Sequence, residues 1–476
     1  MTMRRLLLLT LLVVSLAACA SLMPTTAPTL VPTVTATPGP PTSTPAPTPT
    51  PAPTPTPAPK PVAGTLYVDA AYDQGKVSRF VYGTNYGPWA FLSPDLYSQF
   101  KESGLTLIRF PGGNWGDEND LDPFPMDQFM TLARMINAEP LISVRLRGGT
   151  PEKAVALLQY TIQQGYNVRY WSIGNEPSLY APKHAEWDTA YYNVEWRRFA
   201  QAMKAVDPNI ILVGPDTNQF MGEPSIDPKD KAGHDWLREF LKANGDLVDV
   251  VAVHRYPFPV KMGERPSRDE LFADPPRWDT LVTNLRKAVR EETGKDKPIA
   301  ITEWNSSWSG AMGGETGMDT VNNALWLGDV LGRLIRQRVD IVAQFSLQSG
   351  ANVGGYGLFE SYAVRPTYYT YQMYKNFGGE LIFAASDMPK LSLYAARKGD
   401  ALTLVIVNLN DQAVTRPLVL EHFSPSGPAQ VKLFDKDHKA IPRPDVVIAT
   451  SKIDYTVPPL SITLLTVPGK VESADH

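Results

Sequence analysis

The chain has 476 residues, 43% of them hydrophobic and 20% charged, with a formal net charge of −4 and both signs spread along its length. Nothing in that balance points to a nucleic-acid surface or to a second membrane contact beyond the N-terminal one considered next. A single cysteine rules out an internal disulfide, and the six histidines show no metal-ligand spacing. A hydrophobic core must therefore hold the fold, and neither metal nor cofactor is expected.

Arg4 and Arg5 precede an apolar run from Leu6 to Ala18. This is the pattern of a secretory signal, and it is too short to span a bilayer comfortably, which takes ~20 apolar residues. Leu16-Ala17-Ala18-Cys19 is similar to the bacterial lipobox, in which the cysteine is lipidated, and Cys19 is the only cysteine present. An ordinary cleaved signal is the alternative. Residues 1–19 are thus expected to direct an extracytoplasmic, membrane-anchored lipoprotein. Residues 20–63 are mostly Pro, Thr and Ala with almost no charge. Such a segment buries too little apolar surface to offset its ordering entropy, so it is expected to be an extended, disordered stalk.

From residue 64 to 377, short β-branched or apolar runs alternate with longer amphipathic ones. The expected strands are Phe80–Thr84, Thr106–Phe110, Pro140–Arg145, Arg169–Ile173, Ile210–Gly214, Val248–His254, Ile299–Glu303 and Ile341–Ser346. Helix-length segments lie between them, among them Pro151–Gln164, Tyr191–Val206, His234–Ala243, Trp278–Thr293 and Thr320–Arg336. Alternation of this kind implies parallel β/α units with right-handed crossovers. Eight units over about 300 residues fit a closed (β/α)8 TIM barrel. An open doubly wound sheet would alternate in the same way, but no Gly-rich phosphate fingerprint follows the first strand. From 378 to 470, short strands are separated by Asp, Asn, Gly and Pro turns, as in Leu391–Ala395, Ala401–Asn408, Pro417–Leu420, Ala429–Phe434 and Ser461–Val467. This is expected to be a C-terminal antiparallel β-sandwich, with the strand-like Gly64–Ala70 crossing over to join it.

Barrel enzymes carry reactive groups at the C-terminal ends of their strands. The second strand ends Arg109-Phe-Pro-Gly-Gly-Asn114 and the fourth ends Asn175-Glu176-Pro177. The sixth ends His254-Arg-Tyr256-Pro and the seventh ends Glu303-Trp304-Asn305. A lone glutamate at a strand end usually forms a loop salt bridge. Two of them on opposite sides of one mouth, with Arg, Asn, His and Tyr between, suit the cleavage of a glycosidic bond. That reaction needs a proton donor for the departing oxygen and a carboxylate for the anomeric carbon, ~5–5.5 Å apart when configuration is retained.

On these residues the barrel segment, roughly 75 to 375, resembles clan A of the glycoside hydrolases. Gly174-Asn175-Glu176-Pro177 is similar to the clan's acid/base motif and Ile301-Thr302-Glu303-Trp304-Asn305 to its nucleophile strand. The Arg109–Asn114 run resembles that of family 51 arabinofuranosidases, and the Thr-Glu-Trp-Asn and His-x-Tyr-Pro runs resemble family 39. The resemblance implies a retaining glycosidase acting on cell-surface or plant-type saccharides. In it Glu176 is the general acid and then base, and Glu303 the nucleophile. Arg109 keeps Glu303 charged, Tyr256 donates to it, and Asn175 binds the neighbouring sugar hydroxyl. Asn114 and His254 are expected in a sugar subsite or just behind the residues that touch the sugar, and Trp304, Trp115 and Trp89 each suit stacking on a sugar face as well as packing in the core.

Family 51 arabinofuranosidases carry a sugar-contacting glutamate after the first strand. Tyr82–Pro88 holds no acidic residue, which shifts the expectation towards a pyranoside. The competing readings are a catalytically silent carbohydrate-binding lipoprotein and a transglycosidase that uses the same pair. Pro257–Pro276 is expected to wall one side of a cleft, and the Gly-rich Ser309–Gly317 to be a loose connection rather than a lid. Nothing in the residues specifies an oligomeric state.

Overall fold

The computed structural model describes residues 58–182, 184–258, 264–350 and 354–472. The signal, Cys19 and almost all of the expected stalk lie outside the described residues. Strand β1 (Leu66–Lys76) precedes eight strands that form the barrel. These are β2 (Gly83–Asn85), β3 (Leu107–Phe110), β4 (Glu139–Val144), β5 (Tyr170–Ile173), β6 (Ile211–Thr217), β7 (Val250–Arg255), β8 (Ile299–Trp304) and β9 (Ile341–Gln344). All pair in parallel, and β9 pairs back onto β2. That last ladder closes the ring and removes the open sheet from consideration.

The barrel helices are α1 (Tyr97–Glu102), α2 (Trp115–Glu118), α3 (Pro123–Met135), α4 (Pro151–Gln163), α5 (Thr189–Val206), α6 (Trp236–Asn244), α7 (Arg268–Ala273), α8 (Pro276–Thr293), α9 (Val321–Arg336) and α10 (Pro366–Tyr374). Their starts follow local chemistry. Thr150 caps α4, Thr320 caps α9, and Ser267 with Glu270 forms a capping box on α7. Proline opens α3, α4, α8 and α10, where its missing N–H costs nothing. Among the described residues no helix is long and apolar enough to cross a membrane.

Side chains alternate along each barrel strand. Leu107, Leu141, Val213, Ala252, Ala300 and Ala343 fill the lower interior. Ile108, Phe110, Ile142, Val251 and Ile301 face outwards into the helix layer. Above the apolar interior the inward residues become polar and remain buried: Asn85, Arg109, Asp216, His254 and Glu303. Two irregularities place some of them. In β6 the pairing with β7 skips a residue at Asp216, and Asp216 takes φ 56°. In β8 the pairing with β9 jumps from Ile301 to Trp304, so Thr302 and Glu303 occupy one inward position between them. Extra residues of this sort re-aim side chains at barrel rims.

The remaining strands are β10 (Glu380–Ser386), β11 (Leu391–Lys398), β12 (Ala401–Asn408), β13 (Val414–Glu421), β14 (Phe423–Pro425), β15 (Ala429–Phe434), β16 (Ile441–Val446), β17 (Lys452–Val457) and β18 (Ser461–Val471). With β1 they form one curled ten-stranded sheet, ordered β16-β15-β18-β12-β11-β10-β1-β13-β17 with β14 beside β18. Strand β1 lies between β10 and β13, and its pairing with β13 is the parallel one. Both faces of the sheet carry apolar side chains. Leu393, Ala395, Leu404, Ile406 and Leu465 make its own core, whereas Tyr394, Val405, Val407 and Ile462 join the barrel's. The sheet docks on α9 so closely that a Cβ on Gly332 would sit 2.2 Å from the Tyr394 ring. Tyr394 also donates its hydroxyl to the Asp329 backbone carbonyl, at 2.9 Å.

Ser309–Gly317 departs from the loose connection expected of it. Gly313 N donates to Asp319 at 2.6 Å, Met318 N to Ala311 at 3.1 Å, and Thr316 to Pro266 O at 2.6 Å. Its glycines serve backbone turns here, as at Gly313 with φ 70°.

Candidate active site

Arg109 is the hub of the polar layer. Nη1 donates to Asn85 Oδ1 at 3.0 Å and to Glu303 Oε1 at 2.7 Å. Nη2 donates to Asn175 Oδ1 at 2.8 Å and to Asp216 Oδ2 at 3.2 Å. One planar guanidinium thus ties together the ends of the first, fourth, fifth and seventh barrel strands, β2, β5, β6 and β8. Burial opposes its charge, but Asp216 and Glu303 outweigh burial and raise its pKa.

Glu303 accepts from three donors: Arg109, the Gly113 amide at 2.7 Å and the Tyr256 hydroxyl at 3.1 Å. Gly113 reaches it from the turn after β3, at φ 64°. Tyr256 is fixed from behind by Gln219, whose amide bonds the Tyr256 carbonyl at 3.0 Å and accepts its N–H at 3.1 Å. Burial, and then the Glu303 charge, push the Tyr256 hydroxyl well above its ordinary pKa, so it stays a donor.

Glu176 sits in the left-handed region, at φ 44° and ψ 53°, just past β5. Its Oε1 is 3.0 Å from His254 Nδ1. Burial raises the Glu176 carboxyl above its ordinary value; His254 pulls against this, and the Glu303 charge adds to it. His254 is fully buried, with Nδ1 also 3.7 Å from Glu303 Oε2 and Nε2 3.7 Å from Asp216 Oδ1. Burial alone would lower the ring's pKa, but Glu303, Asp216 and Glu176 together raise it to about 9. Burial works against the Asp216 charge as well. Arg109, His254 and Thr302 nonetheless hold this carboxyl well below the ordinary carboxylate range. The layer therefore sets two groups biased towards their cations, Arg109 and His254, around Asp216, which is held as a carboxylate, with Glu176 biased towards its neutral form.

One ligand-type atom each from Glu176, His254 and Glu303 lies within 4.8 Å of the other two. An oxygen of each carboxyl thus lies within 4.8 Å of the other, an approach consistent with the ~5–5.5 Å spacing of retaining pairs. Such a trio has the composition of a cation site. Arg109, however, already places its charge on Glu303 Oε1, and His254 Nδ1 is 3.0 Å from Glu176 Oε1, so these ligand-type atoms have partners within the protein.

The structure brings together Glu176, Glu303, Arg109, Asn114, Asn175, His254 and Tyr256. Asn114 is exposed at the mouth and accepts from Asn175 Nδ2 at 3.1 Å. Trp304 is the exception and corrects the expectation of a sugar-stacking ring. It is fully buried, with its ring 5.5 Å from Trp278 of α8 and 5.9 Å from Trp326 of α9. Once the β8 irregularity has turned Glu303 inward, the next side chain must point outward. Trp89 keeps 43% exposure at the mouth and stacks on Phe345, with ring centroids 6.3 Å apart. Three participants were missed: Asn85, Gly113 and Asp216. The strand-end rule finds Asp216 only if β6 is run through to Thr217, two residues past a glycine and a proline that read as its end. Asn85 marks the end of β2, where no acid stands, and its amide is committed to the Thr302 carbonyl at 2.8 Å and to Arg109.

Known proteins agree with this layout. The profile of glycosyl hydrolases family 39 matches residues 159–408, more than half of the chain, including both glutamates. The chain belongs to glycosyl hydrolases family 39. Beyond family 39 it is 27% identical over 292 residues to the heparanase of Rattus norvegicus, covering 56% of this chain and 49% of that protein. It is 26% identical over 186 residues to alpha-L-arabinofuranosidase C of Emericella nidulans, covering 29% of this chain and 36% of the other. The chain thus spans about half the length of the heparanases it matches. The structure superposes on alpha-L-arabinofuranosidase from Thermotoga maritima with TM-score 0.66 at 19% identity, covering 84% of this chain and 99% of that one. A family 44 xyloglucanase from Paenibacillus polymyxa gives 0.65 at 17% identity, with 84% and 98% covered. At these identities the structural likeness speaks for the fold.

Proposed function

We propose that this family 39 chain is a retaining glycosidase working by double displacement, with Glu303 as nucleophile and Glu176 as acid/base. The observation that carries this is the approach of the two carboxylates to within 4.8 Å in unlike surroundings. Glu176 is buried against His254 and biased towards its protonated form; Glu303 is held by three donors. A carboxyl biased towards its protonated form beside one gripped by three donors suits the division of labour between acid and nucleophile.

In the first step a Glu303 oxygen bonds to the anomeric carbon as the glycosidic C–O bond breaks, and Glu176 passes its proton to the departing oxygen. In the second, Glu176 takes a proton from water, whose oxygen displaces Glu303 and regenerates both groups. Arg109, Gly113 and Tyr256 orient the nucleophile, while Asn175 and Asn114 offer amides to the sugar. A pyranoside in a plant or microbial saccharide is the substrate this reading favours. Tyr82–Pro88, the region where family 51 arabinofuranosidases carry a sugar-contacting glutamate, holds no acid, and its Asn85 amide is already engaged.

Lipidation at Cys19 would anchor the enzyme outside the cytoplasm, with the Pro/Thr segment as spacer. Cys19→Ala is then expected to move it from the membrane to the soluble fraction; an unchanged distribution removes the anchor from the account. For the activity, the test is a panel of aryl glycosides and polysaccharides, with the first-formed anomer read by NMR. Retention of configuration is expected. Inversion, or sugar binding without turnover on every substrate, overturns the reading.

A further inference from the structure

Glu176 needs outside support. A left-handed conformation is uncommon for a residue with a side chain and is strained. Regular strand pairing ends one step earlier, where Gly174 N donates to Val144 O at 2.9 Å. The next two amides are satisfied differently. Glu176 N donates to the Asp216 carbonyl at 3.0 Å, and Asn175 N donates to Asp117 Oδ2 at 3.0 Å.

Asp117 lies on α2, is only 3% exposed, and has a buried Oδ1 without a hydrogen-bond partner among the described residues. Its Oδ2 also accepts the Tyr180 hydroxyl at 2.5 Å, and that hydroxyl in turn receives Asn175 N at 3.2 Å. One carboxylate oxygen therefore grips the chain on both sides of Glu176, at residue 175 before it and residue 180 after it. The same turn reaches the other catalytic group. Gly113 N bonds Glu303, and Asn114 bonds Asn175. Residues 113–117 thus touch the mountings of both glutamates.

We propose that Asp117 is a positioning residue for Glu176, holding the 175–180 bend so that the acid/base carboxyl meets His254 and the departing oxygen. The inference rests on Glu176 being the acid/base. It assigns no contact between Asp117 and substrate: the carboxylate acts through the Asn175 amide and Tyr180. A group held this way matters where proton donation matters, since displacement of a reacting group by about 1 Å can cost about 100-fold.

The test compares phenyl and dinitrophenyl glycosides of one accepted sugar. The first needs a proton on its leaving oxygen and the second does not. Asp117→Ala is expected to lower kcat/KM about 100-fold on the phenyl glycoside and no more than about 3-fold on the dinitrophenyl one. Asp117→Asn keeps an acceptor oxygen for the Asn175 amide and should recover most of the loss. Tyr180→Phe, which removes one hydroxyl and keeps the ring, should give the same pattern at about 10-fold, and carries the test if the alanine variant does not fold. Equal losses on both substrates, or none on either, overturn the proposal. Glu176→Ala is run alongside. If it lacks leaving-group dependence, the acid/base assignment fails and this inference with it. If it shows that dependence and the Asp117 and Tyr180 variants do not, only the positioning role falls.

Discussion

Tyr256→Phe removes one hydroxyl from the nucleophile's surroundings and leaves the ring. Glu303 Oε1 has two short donors, Arg109 and Gly113, both at 2.7 Å. Oε2 has one, Tyr256 at 3.1 Å; His254 Nδ1 stands 3.7 Å away and is committed to Glu176 at 3.0 Å. Without the hydroxyl, Oε2 has no donor within hydrogen-bond reach, in a side chain only 5% exposed. A hydrogen bond to a charged partner contributes about 1.5–3 kcal/mol, which corresponds to a fall of roughly 10- to 150-fold in kcat/KM. Because the bond is to the enzyme's own nucleophile, the loss should appear in kcat with KM nearly unchanged. The assay is initial-rate kinetics on an aryl glycoside, with thermal unfolding as a control on the fold. A loss below about 3-fold, or a rise in KM at constant kcat, would refute the reasoning and make Tyr256 a sugar contact instead.

Three further outcomes follow from the same geometry. Asp216→Asn leaves the buried Arg109 without one of its two anions and should destabilise the protein by about 3–5 kcal/mol at neutral pH in urea titration. Since the folded-state value of Asp216 is depressed, its contribution is present above the ordinary carboxylate range and fades as pH falls below it; a loss that does not depend on pH contradicts this. Asp117 has the opposite sign. Burial raises it from 3.8 to about 7, so between those values the folded chain keeps a proton that the unfolded chain has released. Stability should therefore fall by up to about 4 kcal/mol as pH rises through that window. Asp117→Asn should flatten that slope, and an unchanged slope would show that Asp117 does not cause it. Trp304→Leu should cost on the order of 2–4 kcal/mol of stability with KM unaltered, whereas a marked rise in KM would return that ring to the sugar site.

Most of the barrel could be read from the sequence, because each strand is a short β-branched run followed by an amphipathic helix. Its polar mouth was legible wherever a charged or amide side chain directly ended such a run, as at Arg109, Asn175, Glu176 and Glu303. Reading failed where the backbone departs from simple alternation. The extra residue at Asp216 extends β6 past Gly214-Pro215, where a turn is the natural reading, and so hid the ion-pair partner of Arg109. The irregularity before Trp304 reverses the expected facing of that indole. In the sheet, β10, β14 and β17 escaped notice. Strand β16 (Ile441–Val446) did too, because two prolines in an exposed run carry no alternating pattern. Asp117 could not be found from spacing at all. Its role depends on where the bend after β5 passes, which only the folded chain determines.

The central claim is best tested by trapping the glycosyl-enzyme with a fluorinated glycoside of an accepted sugar and locating the label by peptide mass spectrometry. The account predicts one sugar per chain, ester-linked to Glu303, with Glu303→Gln unlabelled. A label on Glu176, on any other side chain, or on none while turnover continues would contradict it.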